Sequence, residues 1–423
     1  MSEKYIEFGY GSGSMGVHIP EKNLIASLLP RQEEAASSAD QIIAEALAAP
    51  IGAKKLEEVV QAGQKIAIII SDITRPCPSY KLLPPVLAAL EQAGVKPEDI
   101  TIVSALGSHR PQTESEHRTL VGEAVYGRIK VEDSTAHDFV EVGKSSRGTP
   151  FEVARTVVEA DIRLGLGNID YHYFAGYSGG VKAVVPGACT RRTIEANHAM
   201  MLEEKAKVGN VDGNPVRDDL EEILNFLSLD FILNVVLNEK KEIIGAVAGH
   251  AIEAHRAGCA ILDKIYKQYI DKKGDIVIAS PGGLPKDLNV YQTQKALDNA
   301  QWAVKDGGII ILVGECKEGY GEKTFAAWLN EATCADQLLE RIQSEFRLGG
   351  HKAAAIAAVT KKATVYLVSS LSETMVEKLY MRPFKDLETA FAAALACKGE
   401  DAQVYAMTVG GTTLPVYRGG ENG

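Results

Sequence analysis

The sequence predicts an α/β protein of two domains, each with a parallel or mixed sheet. The chain has 423 residues, which is longer than an ordinary single domain. Short, continuous apolar segments alternate with amphipathic ones, a pattern typical of buried strands between helices. This alternation ends and begins again after Lys272-Lys273-Gly274. We therefore predict an N-terminal domain over residues 1–272 and a C-terminal domain over residues 273–423.

The first domain contains a strand–helix–strand unit. Residues 65–71 form an apolar strand, residues 80–93 have helical periodicity, and residues 99–106 form a second strand. Residues 162–166 form a third. Polar loops follow these strands and begin near Asp72, Gly107 and Gly167. Because ligands bind beyond the carboxyl ends of strands in open α/β sheets, we expect the three loops to face one crevice.

Further elements continue the pattern. We predict a hairpin from residues 231–238 and 242–247, and an amphipathic helix over residues 251–270. The second domain is predicted to contain a helix at 290–304 and strands at 275–280, 308–313, 365–369 and 403–408. The strands of both domains are bounded by helices, as an α/β fold requires.

The composition excludes several classes of protein. Hydrophobic residues make up 46% of the chain and charged residues 24%, and the formal net charge is −11. This balance lacks the basic patches of a nucleic-acid binder. We see no signal peptide, and no apolar segment reaches the ~18 residues of a membrane span. The six cysteines are scattered without a CxxC pair, which predicts reduced thiols and a cytoplasmic location.

Residues 170–201 form the segment richest in chemically active side chains. Its glycines allow tight turns and a close approach of the backbone to a ligand; they are Gly176, Gly179, Gly180 and Gly187. Lys182 lies just after Gly179 and Gly180. Spacing alone leaves two interpretations open for Lys182: a counter-charge in a phosphate-binding loop, or a lysine that forms a covalent bond.

Three histidines are candidates for chemistry. His109 and His172 follow buried strands, and histidine is the side chain best suited to proton transfer near neutral pH. Capping of a strand end or phosphate binding is the alternative for both. His198 lies on a helix predicted to begin near Thr190 or Arg191. A lone helical histidine is more commonly structural, because a metal site needs further donors, unless a cofactor supplies them.

Several cations and their neighbours could hold an anion. Arg75 and Arg110 flank the predicted crevice, and an arginine can bind a carboxylate with two parallel hydrogen bonds. In the second domain Tyr291 and Lys295 are four residues apart, so they share a helix face. An exposed loop or an ordinary first helical turn is the alternative. We assign no firm role to Arg191, Arg192 or Cys77.

The remaining histidines carry no comparable signal. We expect them to be structural or solvated; they are His18, His117, His137, His250, His255 and His351. The spacing of five between His250 and His255 is not that of a helical metal pair.

At this point the motifs resemble the lactate racemase family. They are DITRP at 72–76, GSHR at 107–110, HYFAGYSGGVK at 172–182, PG at 186–187, NHAMM at 197–201, and YQ at 291–292 with Lys295. They occur in order from about residue 70 to residue 300, and the stretch at 172–182 is the most specific. The resemblance implies two α/β domains with the active site in the cleft between them.

The resemblance also implies a cofactor and its ligands. The cofactor is a nickel-pincer nucleotide, pyridinium-3-thioamide-5-thiocarboxylic acid mononucleotide with Ni, made by separate cofactor-synthesis proteins. Lys182 corresponds to its covalent tether and His198 to the protein ligand of nickel. Asp72 corresponds to a residue lining the cofactor pocket. Since the pincer supplies the other three donors, a single histidine can then complete a nickel site.

The activity implied is that of a racemase or epimerase of a lactate-like 2-hydroxyacid. Hydride would pass reversibly to the cofactor through a 2-keto acid. His109 and His172 correspond to the acid/base residues. The substrate-binding residues correspond to Arg75, Lys295, Gln292 and Tyr291. Malate, aryl-lactate, longer aliphatic hydroxyacids and sugar acids remain open as substrates.

Two other functions compete with this interpretation. A nucleotide-dependent enzyme would use residues 176–182 as a phosphate loop, but the segment lacks GxGxxG, and Ala183 after Lys182 does not fit GxxxxGK[ST]. A non-catalytic nickel-nucleotide binder would have no use for both His109 and His172 as acid/base residues.

Overall fold

The computed structural model describes residues 2–31, 35 and 37–419. The chain divides into two compact units, Gln32–Lys264 and the combination of Met1–Arg31 with Ile265–Gly423. Each unit contains a six-stranded sheet with helices, which confirms the predicted α/β class. No helix in the described residues is long and apolar enough to cross a bilayer.

The strands and helices of the described residues are as follows. The strands are β1 (Glu3–Tyr10), β2 (Gly13–Pro20), β3 (Leu24–Ser27), β4 (Ile66–Ser71), β5 (Ile100–Ala105), β6 (Lys130–Asp133), β7 (Phe139–Lys144), β8 (Pro150–Ala154), β9 (Ile162–Ile169), β10 (Tyr171–His172), β11 (Gly176–Tyr177), β12 (Phe231–Leu237), β13 (Ile243–Gly249), β14 (Lys267–Ile270), β15 (Gly274–Ala279), β16 (Val304–Val313), β17 (Thr364–Val368), β18 (Arg382–Phe384), β19 (Val404–Met407) and β20 (Leu414–Tyr417). The helices are α1 (Ala39–Ala48), α2 (Leu56–Val59), α3 (Ser79–Gln92), α4 (Glu114–Val121), α5 (Glu123–Tyr126), α6 (Arg155–Glu159), α7 (Arg191–His198), α8 (Pro215–Glu221), α9 (Glu253–Tyr266), α10 (Val290–Ala300), α11 (Lys323–Glu331), α12 (Ala335–Ser344), α13 (Gly350–Lys362), α14 (Glu373–Glu377) and α15 (Leu387–Lys398).

The sheet of the Gln32–Lys264 unit is doubly wound. Its strand order is β13-β12-β9-β4-β5-β6, and every pair is parallel except β12 with β13. The chain runs outward from β4 through β5 to β6, then returns to β9 beside β4 and runs outward the other way. The order therefore reverses between β4 and β9. Ligands bind beyond the carboxyl ends of strands at such a reversal, so the loops after β4 and β9 lie where a site is expected.

Burial explains why the apolar strand segments were recognisable. Every residue of β9 is buried, as are the first five residues of β4. Helix α3 buries Leu83, Val86 and Leu90 in the same core cluster. Each such side chain contributes about 1.5–3 kcal/mol of transfer free energy. These contacts hold the strand ends, and the loops that follow them, in place.

The second unit is built on an all-parallel sheet that includes the N-terminal segment. Its order is β18-β17-β16-β15-β19-β3. The β1–β2 hairpin buries Phe8 and Val17 in the core of this unit. Residues 1–31 thus group with the C-terminal half, whereas we predicted them within a domain over residues 1–272. The reason is the parallel pairing of β3 with β19, a contact that no local pattern reveals.

One predicted helix is shorter than expected. Helix α9 ends at Tyr266, and the chain continues as β14, which pairs in parallel with β20. The unit Gln32–Lys264 ends within this helix, eight residues before the predicted boundary. Helical periodicity continued through residues 267–270 in the sequence, but pairing with a strand almost 150 residues later decides their conformation.

Candidate active site

The polar loops of the Gln32–Lys264 unit meet at the carboxyl ends of β4, β5 and β9. The Gly107 N–H, after β5, donates to the Gly187 carbonyl at 2.8 Å. His109 reaches Asp72, which follows β4, at 2.8 Å. These contacts bring the loops together as the predicted sheet required.

Asp72 and His109 form a hydrogen-bonded pair. Oδ2 of Asp72 lies 2.8 Å from Nδ1 of His109, and the Thr74 N–H donates to Oδ1 of Asp72 at 2.7 Å. Burial alone would raise the pKa of Asp72, but the hydrogen bonds from His109 and Thr74 outweigh it and leave the pKa below its usual value. The carboxylate therefore stays ionised and holds the proton of His109 on Nδ1. The lone pair then lies on Nε2, so His109 is set to accept a proton.

We predict that Asp72→Asn lowers turnover by about 10²–10³-fold, because the amide no longer holds the base tautomer of His109. The acidic limb of the activity–pH profile is expected to change as well. Steady-state kinetics over a pH series measures both effects. Asp230→Asn is the matched control, since Asp230 also accepts a backbone N–H, at 2.8 Å, but from Arg163 at the amino end of β9. Equal losses in the two variants would refute the positioning role of Asp72.

His172 is oriented differently from His109. It lies on β10, and its Nδ1 accepts the Ala175 N–H at 3.2 Å. Its ring packs edge-on against Phe174, with centroids 4.5 Å apart. Burial, followed by the charges of Lys182 and His198, lowers the pKa of His172 well below its usual value. The ring is thus neutral near pH 7, and the proton lies on Nε2 because Nδ1 is an acceptor.

His198 ends helix α7, which begins after the N-cap Thr190 as predicted. The ring is 7% exposed, and its Nδ1 lies 3.0 Å from Oδ1 of Asn197. The Asn197 amide is itself held, since its Nδ2 donates to Asp219 at 2.8 Å. This contact places a proton of His198 on Nδ1, the tautomer in which Nε2 can serve as a metal ligand.

The rings of His172 and His198 are close, with centroids 6.4 Å apart. Phe174 packs against both, at 4.5 and 4.7 Å between centroids. In the described part of the chain, no group of three or more His, Cys, Asp or Glu side chains could hold a metal ion.

Lys182 lies in a single 3₁₀ turn, Gly180–Ala183. Burial, followed by the charges of Arg217 and Arg75, lowers the pKa of Lys182 well below its usual value. A larger fraction of the amine is therefore unprotonated near pH 7, which is the form that can make a covalent bond.

The glycines before Lys182 pack against protein, contrary to our expectation of a ligand. A Cβ at Gly176 would lie 2.0 Å from the Asn210 carbonyl oxygen, and one at Gly180 would lie 2.9 Å from the His255 ring. Both have positive φ, 78° and 62°. The Gly180 N–H donates to Asn234 at 2.8 Å. An amide used in this way is not offered to a phosphate, which weighs against the phosphate-loop interpretation.

Helix α9 anchors the same segment through His255, which we expected to be structural or solvated, and through Asp263, which sequence reasoning missed. The ring of His255 is fully buried, and its Nε2 lies 2.8 Å from the Ser178 carbonyl. Oδ1 of Asp263 accepts the hydroxyls of Tyr171 and Tyr177 at 2.9 and 2.7 Å. Their spacing of eight residues places them on one helix face. This spacing was the one sign in the sequence that His255 and Asp263 act on the same surface, but the sequence did not show which residues they would bind.

The arginines near the crevice differ in what they contact. Arg75 is exposed, and its charge contributes to the lowered pKa of both His172 and Lys182. Arg110 is exposed and forms an ion pair with Glu116 at 2.7 Å, in agreement with the alternative of an exposed loop. Arg192 binds Glu152 at 2.6 Å.

Arg191 and Cys77 also show no link to the chemistry. Arg191 is exposed in the first turn of α7. Cys77 is buried, which raises the pKa of its thiol to about 12, so the reactive thiolate is disfavoured near neutral pH.

The other three predicted substrate residues lie together in the second unit. Tyr291, Gln292 and Lys295 occupy the first turns of α10, where Asn289 caps the helix by accepting the Gln292 N–H at 3.1 Å. Lys352, from α13, was missed. Its Nζ donates to the Tyr291 carbonyl at 2.6 Å and lies 4.0 Å from the centre of the Tyr291 ring.

Burial, followed by the charge of Lys295, lowers the pKa of Lys352 to about 7 from 10.5. Between these values the unfolded chain binds one more proton than the folded chain. We therefore predict that stability rises with pH across this range, by up to about 1.4 kcal/mol per pH unit, and that Lys352→Met abolishes this rise. Urea unfolding at neutral and alkaline pH tests this, with the exposed Lys378→Met as control. A pH slope unchanged in Lys352→Met would contradict the prediction.

Comparison with known proteins decides the family. Residues 10–209 match the model of the lactate racemase N-terminal domain, and residues 270–414 match that of the C-terminal domain. A lactate racemase of Thermoanaerobacterium thermosaccharolyticum is 32% identical over 411 residues, covering 94% of this chain and 96% of that protein. The chain belongs to the lactate racemase family. The lactate racemase of Lactiplantibacillus plantarum is also 32% identical, over 413 residues, with the same coverage.

The solved structure of a relative agrees with this assignment. The lactate racemase apoprotein of Thermoanaerobacterium thermosaccharolyticum superposes with a TM-score of 0.89 at 31% identity, covering 98% of this chain and all of that one. A Thermotoga maritima protein shares the fold, with a TM-score of 0.65 at 19% identity over 92% of this chain. The curated relatives are named as racemases, so the family is one of isomerases.

Proposed function

We propose that this lactate racemase family member interconverts the enantiomers of a lactate-like 2-hydroxyacid with a lysine-tethered nickel-pincer nucleotide. The observation that supports this most strongly is the geometry of His198. It is a buried histidine whose Nδ1 is held by Asn197, 3.0 Å away, and whose ring is 6.4 Å from that of His172. A metal ligand beside an acid/base residue is what this reaction needs.

The residues present fit such a cofactor. The lowered pKa of Lys182 suits a covalent tether, and Nε2 of His198 suits nickel. When bound, the cofactor supplies a reversible hydride acceptor and the sulfur and carbon donors that complete the nickel coordination. Asp72, which we had predicted to line the cofactor pocket, is engaged by His109 and Thr74, which supports a positioning role.

The protein's own side chains bind the substrate and move its proton. Arg75 in the Gln32–Lys264 unit is a carboxylate-binding residue in this proposal, and Lys295, Gln292 and Tyr291 are the substrate-binding residues of the second unit. Nε2 of His109 accepts the hydroxyl proton of one enantiomer. His172 is the acid/base residue for the oxygen of the opposite enantiomer, and its lowered pKa keeps the free ring neutral, with its proton on Nε2.

The substrate is a monocarboxylic hydroxyacid in this proposal. Lactate is the compound for which the curated relatives are named. A dicarboxylic substrate would need another cation, and Arg192 is already bound to Glu152 at 2.6 Å. The protein is proposed to act in the cytoplasm, where the cofactor-synthesis proteins mature it.

The test is to produce the protein with and without the cofactor-synthesis proteins. Intact-protein and peptide mass spectrometry should find a nucleotide-sized adduct on Lys182, and metal analysis should find one nickel per chain, only in the co-produced protein. Chiral chromatography should then show racemisation of lactate in preference to malate, aryl-lactate and sugar acids. If protein without the adduct racemised lactate, the proposed cofactor would be wrong. If protein with the adduct and nickel were inactive on every compound, the proposed racemase activity would be wrong.

A further inference from the structure

Arg217, on helix α8, is a buried cation with little compensation from carboxylates. Its side chain is fully buried. Its ion pair with Glu221 is long, at 3.9 Å, and Glu221 already binds Arg256 at 2.8 Å. Removing a charge from water without a close counter-ion costs folding free energy. Stability alone is therefore a poor reason for an arginine at this position.

The hydrogen bonds of Arg217 go to one segment of backbone. Its guanidinium donates to the carbonyl of Tyr177, and through longer bonds to those of Ala175 at 3.4 Å and Gly179 at 3.5 Å. The carbonyls belong to every second residue, and all three face the same guanidinium. A planar guanidinium with five N–H donors can reach all three, whereas a lysine has a single nitrogen.

This segment leads directly into Lys182. The Lys182 N–H donates to the carbonyl of Gly179, at 3.3 Å, which is the last of the three acceptors of Arg217. The conformation of the turn that carries Lys182 therefore depends on a carbonyl that Arg217 holds. Positive φ at Gly179 and Gly180, 78° and 62°, makes this backbone one that ordinary residues would not adopt unaided.

We propose that Arg217 is a positioning residue for Lys182, holding the turn that carries it and supplying a fixed positive charge beside it. The inference deepens the proposed function and rests on it for its second measurement. The charged and titratable groups that interact electrostatically with Lys182 are Arg217, Arg75, His172 and His255. Burial lowers the pKa of Lys182 most, and the charge of Arg217 lowers it more than that of Arg75 does.

The first measurement uses protein without cofactor. Lys182 is acylated by a small amine-reactive reagent over a pH series and quantified by peptide mass spectrometry. Arg217→Gln removes the charge but keeps a polar side chain, and we expect the midpoint of labelling to rise by about one pH unit, a tenfold loss of reactive amine near neutral pH. Arg217→Lys keeps the charge, so its midpoint should stay near that of wild type. Amide hydrogen exchange around Lys182 should accelerate in both variants, because neither keeps the three hydrogen bonds.

Arg163→Gln is the matched control. Arg163 is also a buried arginine of this unit, 7% exposed, and it also donates to three backbone carbonyls, but at the amino end of β9. Its labelling midpoint and exchange near Lys182 should equal those of wild type. A labelling midpoint in Arg217→Gln equal to that of wild type would overturn the proposal. Failure of both Arg217 variants to fold would also overturn it, since Arg217 would then be a general structural residue.

The second measurement uses protein produced with the cofactor-synthesis proteins. The yield of the Lys182 adduct should fall at least about tenfold in Arg217→Gln, in proportion to the loss of reactive amine. A wild-type protein without any adduct would refute the proposed function, yet the labelling experiment would still decide the role of Arg217. Equal adduct yields in wild type and Arg217→Gln would refute the inference while leaving the proposed function intact.

Discussion

Lys182→Ala is expected to yield a folded protein that carries no covalent nucleotide and has lost at least about 10³-fold of its activity, or about 4 kcal/mol of transition-state stabilisation. The reason is that the amine with the lowered pKa is gone and no other group in the turn Gly180–Ala183 can form the same bond. Intact mass, nickel content and chiral assay on the co-produced protein measure the three consequences. Lys182→Arg should behave in the same way, because a guanidinium keeps the charge but is not nucleophilic near neutral pH.

Lys144→Ala is the control for this experiment, since Lys144 is an exposed lysine at the end of β7 in the same unit. It should acquire the adduct and the nickel as wild type does. Full activity in Lys182→Ala, or an adduct on another lysine without loss of rate, would contradict the proposal that Lys182 is the covalent tether of the cofactor.

His109→Ala and His172→Ala are each expected to lower turnover by about 10²–10⁴-fold, the usual contribution of a positioned acid or base. The cofactor should remain in both variants, because Lys182 and His198 are untouched. The loss of turnover would therefore come from proton transfer and not from loss of the cofactor. The two rings hold their protons on different atoms, because Nδ1 of His109 contacts Asp72 at 2.8 Å and Nδ1 of His172 accepts the Ala175 N–H at 3.2 Å. Chiral assays in both directions, with nickel measured on the same samples, separate rate from loading.

His117→Ala provides the comparison for this pair. His117, on α4, also contacts a carboxylate, that of Asp133 at 2.9 Å, and it is not one of the proposed site residues. Its turnover should stay near that of wild type. If either His109→Ala or His172→Ala kept full activity, the acid/base role of that residue would be wrong. Loss of nickel in His172→Ala would instead indicate that the ring supports His198, the proposed nickel ligand, whose ring centroid is 6.4 Å away.

Much of the fold around the site could be predicted from local patterns. Strands β4, β5 and β9 were recognisable because a strand buried on both faces is mostly apolar, without the polar alternation of a strand that has one face in solvent. The start of α7 was recognisable because Thr190 caps it with its own side chain. Parallel strands bring the loops at their carboxyl ends together, so the proximity of Asp72 and His109 followed from the predicted sheet.

The parts that could not be predicted depend on partners far away in the chain. Residues 1–31 join the second unit because β3 pairs with β19, whose residues lie about 380 positions later. The spacing of Gly176 and Gly180 suggested a loop that contacts a ligand, but in the structure Asn210 packs against Gly176 and His255 packs against Gly180. Local spacing contains no information about which surface a glycine will face.

The sequence by itself determined the α/β class, the strands that end at the site, and the family to which His109, His172, Lys182 and His198 belong. Only the tertiary structure decided the hydrogen-bond partners, proton positions and pKa values of these residues. Asp72 holds His109 across 37 positions, and Arg217 holds the turn before Lys182 across about 40. Proton positions and pKa values depend on distance, burial and neighbouring charge. Those quantities exist only once the chain has folded, which is why the residues could be named from sequence but their chemical states could not.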